Sequence, residues 1–145
     1  MNTVRLVAIF AENRPGQTAL VTKVLSEARL NIRWATITSL GASGVMKFLV
    51  SDPDAARQAL RQAGFAVTFL EVLAVEVPDR PGALHAVADC LARHGINLDN
   101  TSGFVTDGRA ILILEVQEVV RACAVLQQAG LRLLSQREML ETGPK

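Results

Sequence analysis

Two short stretches combine residue types that could hold a small zwitterion. They are residues 13–16 (NRPG) and 79–82 (DRPG), each between an apolar strand-like run and a helix-like run. The first backbone N–H groups of a helix lack partners, and the positive end of the helix dipole lies there, so this place suits a carboxylate. Asn13 or Asp79, at the start of each stretch, offers an oxygen that can accept a hydrogen bond from an ammonium group. This combination is what recognition of a free amino acid requires.

The same residues also make a good helix start without any ligand. Asn and Asp are common caps, Pro suits the first helical position, and Gly tolerates the turn. Local chemistry alone therefore leaves both interpretations open.

An internal repeat organises the chain. Arg14 of the first stretch and Arg80 of the second define an offset of 66 residues, and the same offset relates Asn31 to Asn97. It also carries residues 62–64 (QAG) onto residues 128–130, and no gap is needed. The repeat predicts two modules, residues 1–69 and 70–140, followed by a short polar tail.

Each module shows the same succession of apolar patterns and turn residues. The predicted elements are strands 4–10, 45–50 and 65–69 with helices 16–29 and 53–63, and then strands 73–77, 110–116 and 131–134 with helices 82–94 and 118–129. A further strand begins after each first helix, at residues 30–32 and 95–98. The order βαββαβ, twice, predicts an α+β fold of two tandem ferredoxin-like modules, with antiparallel sheets and both helices on one face.

Several helix ends carry their own signals. Gly95 is a natural left-handed stop for the first helix of the second module, whereas Arg29 stands at the equivalent position of the first. Asp52 is placed to cap a helix that has Pro53 at its first position. The run Ser135 to Glu138 fits a capping box that starts one last short helix.

Residues 13–16 and 79–82, which we call the corners of the two modules, and the segments after the helices that follow them resemble the ACT domain, a small regulatory module that binds amino acids. The resemblance rests on residues 79–84 (DRPGAL) and 94–98 (HGINL), and on residues 13–16 (NRPG) and 30–32 (LNI) of the first copy. It covers essentially the whole chain, which is most similar to stand-alone tandem ACT proteins. The resemblance implies a ligand at an interface between modules, where the strand-to-helix loop of one module faces the second strand of its neighbour.

The resemblance also implies which residues hold the ligand. The loop residues are Glu12, Asn13, Arg14 and Gly16 in the first module, and Asp79, Arg80 and Gly82 in the second. The helix-to-strand residues are Asn31, Ile32, Asn97 and Leu98, and the flanking residues that select the ligand side chain are Arg33, Trp34, Asp99 and Asn100. The implied function is non-catalytic sensing of a free amino acid, which regulates a separate metabolic enzyme or pathway.

The composition argues against several other classes of protein. The net charge is +1, with 15 basic and 14 acidic residues, and only 4% of the residues are aromatic, which argues against nucleic-acid binding. No apolar run approaches the length of a membrane span. Cys90 and Cys123 form neither a disulfide framework nor a metal site, so we expect a cytoplasmic protein without cofactor. Apolar residues on both faces of the predicted sheets lead us to expect a homodimer.

Two other functions stay open. One is a regulatory or structural subunit that acts through protein contacts alone, since acetolactate synthase small subunits also carry an ACT module. The other is a small enzyme, which would need a cluster of catalytic groups. The carboxylates are scattered, and His85 and His94 are too far apart for a helical metal pair.

Overall fold

The structure, a computed structural model, describes residues 2–142. It divides into two compact units. Module 1 comprises residues 5–70, and module 2 comprises residues 2–4 together with residues 71–142. The end of the predicted polar tail, residues 143–145, lies outside the described residues.

Module 1 consists of a four-stranded sheet and two helices. Its elements are β1 (Val4–Glu12) from its second residue onward, α1 (Gln17–Glu27), β2 (Ile32–Leu40), β3 (Ser43–Val50), α2 (Pro53–Gln62) and the first part of β4 (Ala66–Pro78). The strand order is β2-β3-β1-β4, and β3 pairs antiparallel with both of its neighbours.

Module 2 repeats this arrangement. It uses the second part of β4, then α3 (Ala83–Arg93), β5 (Asn100–Thr106), β6 (Arg109–Glu115), α4 (Val119–Gln128), β7 (Arg132–Leu133) and α5 (Gln136–Glu141). β6 pairs antiparallel with β4 and β5, while β7 pairs with β4. The chain is therefore two tandem ferredoxin-like modules, as the βαββαβ order predicts.

Each module has its own apolar core between its sheet and its helices. In module 1, Val7 and Ile9 of β1 pack with Val21 and Leu25 of α1. These side chains recur every two residues on the strand and every four on the helix, so one face of each element is apolar. The core of module 2 contains Val75, Val77, Val87, Leu91, Ala122, Cys123 and Leu126.

The other face of each sheet is also largely covered. Leu6 and Ala8 in module 1, and Ile111 and Ile113 in module 2, are all buried. Phe10, which follows Leu6 and Ala8 on the same face of β1, is an exception, because 56% of its surface is exposed.

The first helix of each module does not begin with a side-chain cap. Gly16 and Gly82 are the N-cap residues, with φ of 87° and 90°, and neither helix start has a side-chain cap hydrogen bond. The interpretation of Asn13 and Asp79 as capping residues is therefore wrong, because a left-handed glycine turns the chain three residues after each of them. The helices span residues 17–27 and 83–93, slightly less than the predicted 16–29 and 82–94.

The second strand of module 2 begins later than predicted. Asn97 and Leu98 precede β5, which begins at Asn100. Pairing to the neighbouring strand already starts at Asp99, whose backbone N–H donates to the Glu115 carbonyl oxygen at 2.9 Å. Asn31 also lies just before its strand, which begins at Ile32.

Other local predictions are confirmed. The Asp52 side chain accepts a hydrogen bond from the backbone N–H of Ala55 at 3.1 Å, and α2 begins at Pro53. Ser135 and Glu138 form a full capping box at the start of α5. No helix within residues 2–142 is both long and apolar enough to cross a membrane.

Candidate functional site

The β1–α1 loop of module 1 is tied to the turn between β2 and β3. The backbone N–H of Asn13 donates to the Ala42 carbonyl oxygen at 2.9 Å, and its Nδ2 donates to the Gly41 carbonyl oxygen at 3.0 Å. The side-chain amide thus uses one donor inside the module. Its Oδ1 is the part of Asn13 that can accept from a ligand.

Arg14 forms a small polar cluster with its neighbours. Its Nε donates to Oε1 of Gln17 at 3.1 Å and lies 3.5 Å from Oε2 of Glu12. Gln17 is a buried polar residue, only 8% exposed, so its hydrogen bond to Arg14 compensates for the loss of water. Glu12 and Arg14, two of the predicted ligand-binding residues, thus form an ion pair with each other in this corner.

The equivalent corner of module 2 has fewer side-chain partners. The backbone N–H of Asp79 makes a long contact, 3.4 Å, with the carbonyl oxygen of Gly108 in the β5–β6 turn. Within residues 2–142, neither the Asp79 carboxylate nor the Arg80 guanidinium has a hydrogen-bond or ion partner. The two corners therefore differ both in charge and in the availability of their side chains.

The helix-to-strand residues lie at the other end of each module. Two hydrogen bonds join Asn31 to Ser51. The backbone N–H of Asn31 donates to Ser51 Oγ at 3.2 Å, and the backbone N–H of Ser51 donates to the Asn31 carbonyl oxygen at 3.1 Å. In module 2, Nδ2 of Asn97 donates to Oδ1 of Asp99 at 3.0 Å. Asn97 and Asp99 line a small cleft of about 150 Å³ with Gln117 and Glu118.

No single module brings the two predicted groups of residues together. Asn13 precedes α1 and Asn31 follows it, and α1 has 11 residues, so about 16 Å of helix separates them. The same holds for Asp79 and Asn97 on either side of α3, which also has 11 residues.

Three of the predicted ligand-binding residues lie in surroundings that differ from those of the rest. The side chains of Ile32 and Leu98 are half-buried and pack against the apolar cores of their own modules. Asn100 is exposed at the first position of β5, opposite Glu115 of β6.

An ion network in module 2 was not predicted from the sequence. Glu76 of β4 accepts a hydrogen bond from Arg109 at 2.7 Å and another from Arg132, which also donates to Glu138 of α5 at 2.8 Å. The hydrogen bond from Arg109 is the main reason that the pKa of Glu76 lies below its ordinary 4.5. The backbone hydrogen bond from Ser135 likewise lowers the pKa of Glu138. Arg109 and Arg132 lie 33 and 56 residues from Glu76 in sequence, so no local sequence pattern reveals the network.

The cysteine side chains pack in or against the core of module 2, and the two histidines lie apart from each other. Cys123 of α4 is buried in the module 2 core, and Cys90 of α3 packs against that core. His85 lies on α3, while Nδ1 of His94 at the end of α3 contacts the carbonyl oxygen of Cys90 at 2.8 Å. Within residues 2–142, no three His, Cys, Asp or Glu residues are grouped so that they could hold a metal ion.

Comparison with known proteins gives the family of this architecture. The sequence matches the family model described as "ACT domain pair" over residues 2–142. None of the curated protein sequences matches.

Solved structures with the same architecture include a close structural match. Protein BT0572 from Bacteroides thetaiotaomicron is 27% identical, with 97% of each chain covered and a TM-score of 0.90. The ligand-free regulatory subunit of aspartate kinase from Thermus thermophilus is 18% identical, covering 88% of this chain and 92% of that one, with a TM-score of 0.59. The corresponding subunit from Thermus flavus is 17% identical, covers 90% and 94%, and has a TM-score of 0.58. At these lower identities the likeness shows the fold.

Proposed function

Because this chain belongs to the family of ACT domain pairs, we propose that it is a non-catalytic sensor that binds a free amino acid. Its output is the regulation of a separate metabolic enzyme or pathway. Among proteins of this fold, the Thermus thermophilus chain is a regulatory subunit of aspartate kinase, and we propose a regulatory role of the same general kind here.

The Asp79 carboxylate in the module 2 corner is the observation that carries this proposal. Asp79 places a carboxylate without a partner among residues 2–142 three residues before Gly82, where α3 begins without a side-chain cap. The carboxylate suits an ammonium group, and the positive end of the helix dipole suits a carboxylate. A free amino acid carries both groups, so it matches both features at once.

The ligand needs a second module to enclose it. Asn31 and Asn97 lie beyond the ends of α1 and α3 that are remote from the corners. The module 1 corner therefore cannot share a ligand with Asn31, nor the module 2 corner with Asn97. We propose that a second copy of this chain supplies the facing helix-to-strand segment, which makes the homodimer part of the site. The residues that act in this way are Glu12, Asn13, Arg14, Gly16, Asp79, Arg80 and Gly82 on one side, and Asn31, Ile32, Asn97, Leu98 and Asn100 on the other.

Regulation follows from where the ligand lies. A ligand held between two copies binds their associated arrangement more tightly than the separate chains, so its binding shifts the population towards that arrangement. A partner enzyme that recognises one arrangement then responds to the concentration of the amino acid.

A thermal-shift screen of the full chain against the standard amino acids tests this function. A true ligand at about 100 times its dissociation constant adds about 2.7 kcal/mol to the free energy of unfolding. We expect a small number of amino acids to raise the melting temperature, in a concentration-dependent way. If none does so while a purified partner enzyme binds the chain stoichiometrically, the chain acts through protein contacts alone and the sensor proposal is wrong.

A further inference from the structure

A second polar feature lies in module 1, at the end of α1 that is remote from the Asn13 corner. It is a groove of about 420 Å³, which we call the α1-end groove. Its lining residues are Thr22, Ser26, Arg29, Leu30, Asn31 and Ile32. Polar and cationic side chains therefore predominate, and no acidic residue lines it.

Arg29 holds an unusual backbone conformation at this groove. Its φ is 59°, in the left-handed region, while Gly95 at the equivalent position of module 2 has a φ of 68°. For a residue with a Cβ atom this conformation costs about 1–2 kcal/mol, a cost that glycine avoids. An arginine is thus present where the second copy of the same turn has the less strained residue.

Three polar side chains of the α1-end groove are available to a ligand. Within residues 2–142, no hydrogen-bond or ion partner engages the Arg29 guanidinium, the Ser26 hydroxyl or the Asn31 side-chain amide. The carboxylate of Glu27 next along the helix is paired with Lys23 instead, at 3.9 Å. At the carboxyl end of α1, the groove therefore presents one guanidinium without an acidic partner among residues 2–142, together with neutral donors.

Module 2 lacks this set of side chains. The repeat offset of 66 residues replaces Thr22, Ser26 and Arg29 with Ala88, Ala92 and Gly95. The remaining polar residue there, Asn97, is engaged with Asp99. Because the backbone turn is the same in both modules, the fold does not require the three polar residues of module 1.

We propose that the α1-end groove binds a small oxyanion, through a carboxylate or phosphate group. The planar guanidinium of Arg29 presents paired N–H donors that match either group, and the Ser26 hydroxyl and the Asn31 amide supply further donors. This binding needs neither Asp79 nor a second copy of the chain. Its failure is thus distinguishable from failure of the amino-acid proposal, although both assign a role to Asn31.

Nuclear magnetic resonance of the nitrogen-15-labelled full chain tests the proposal. Sodium phosphate and sodium succinate are the two probes, each titrated against sodium chloride at matched ionic strength. We expect saturable shifts of backbone signals from residues 22–32 with at least one probe. Shifts with phosphate alone identify a phosphate site, and shifts with succinate show that the groove accepts a carboxylate.

The variant Arg29→Gly removes the guanidinium and leaves a residue that adopts the left-handed turn freely, so it should fold. It should weaken oxyanion binding by about tenfold or more, since a charge-assisted hydrogen bond is lost. Arg93→Ala, which removes an exposed arginine at the end of α3, is the matched control and should bind as the wild type does. The proposal is overturned if neither probe shifts these signals saturably, or if Arg29→Gly binds as tightly as the wild type.

Discussion

The side-chain amide of Asn13 donates to the carbonyl oxygen of Gly41 at 3.0 Å and thereby joins the β1–α1 loop to the β2–β3 turn. Asp79, its equivalent in module 2, has no N–H on its side chain and cannot make this bond. The same position therefore fixes the loop in module 1 and leaves a carboxylate available in module 2.

Loss of the Asn13 bond should cost stability. We expect Asn13→Ala to lower the free energy of unfolding by about 0.5–1.5 kcal/mol, the usual net value of one hydrogen bond. Urea denaturation measures the change. Asn100→Ala is the control, because its side chain has no partner within residues 2–142, and its effect should stay within about 0.5 kcal/mol. Equal effects of the two variants would mean that the bond to Gly41 contributes nothing.

The ion network around Glu76 should make module 2 sensitive to acid. The pKa of Glu76 is lowered in the folded state, so its contribution is present above its ordinary pKa of 4.5 and is lost as the pH falls through the lower folded-state value. Glu76→Gln removes the charge, and we expect it to cost about 1 kcal/mol at neutral pH.

Urea denaturation at neutral pH and at a pH well below 4.5 measures this dependence. The difference between wild type and Glu76→Gln should shrink on acidification, because the wild-type carboxyl group also loses its charge. Glu27→Gln, at an exposed helical ion pair with Lys23, serves as the control and should show little difference at either pH. A wild-type advantage that stays constant with pH would exclude the Glu76 charge as its source.

Gly103 allows β5 to lie close to the Leu112 side chain on β6. A Cβ atom at this position would lie 2.9 Å from Leu112 Cδ2 and 3.1 Å from the Ile111 carbonyl oxygen. We expect Gly103→Ala to lower the free energy of unfolding by about 1–3 kcal/mol, as overpacking does. Gly44→Ala is the matched control, because the contacts of its Cβ atom would start at 3.5 Å. If thermal unfolding shows Gly103→Ala to be as stable as Gly44→Ala, the close approach is absent.

The strain at Arg29 can be measured separately from any ligand. Arg29→Ala and Arg29→Gly both lack the guanidinium, but only the glycine relieves the left-handed turn. We expect Arg29→Gly to be more stable than Arg29→Ala by about 1 kcal/mol, since the gain from the turn exceeds the extra entropy of glycine in the unfolded chain. Chemical denaturation of the two variants decides this, and equal stabilities would show that the turn carries no strain.

The fold was predictable because its signals are local and occur twice. The apolar runs 65–69 and 73–77 predict two strands, which the structure joins into the continuous strand β4. Asp52 with Pro53 predicts the start of α2. The capping residues of α1 and α3 were predicted wrongly. Gly16 and Gly82 take the N-cap positions in the left-handed conformation, so Asn13 and Asp79, three residues earlier, do not cap the helices. Only the structure could reveal that Asn13 bonds to Gly41, because the two are 28 residues apart.

The site was less predictable than the fold. The resemblance to the ACT domain places Asn31 and Asn97 in the same ligand-binding set as Asn13 and Asp79, but it contains no distances. The structure separates these groups by the length of a helix. The α1-end groove did have a sequence signal, the arginine that stands where the second module has Gly95, but its free donors became visible only in three dimensions.

Calorimetric titration of the full chain with an amino acid that raises its melting temperature tests the central claim most directly. Asp79→Asn, which removes the charge that would hold the ammonium group, should weaken binding by at least about tenfold. Asp89→Asn, at a partly exposed carboxylate of α3 paired with Arg93 at 2.9 Å, should bind as the wild type does. If Asp79→Asn retains wild-type affinity, the module 2 corner is not the amino-acid site.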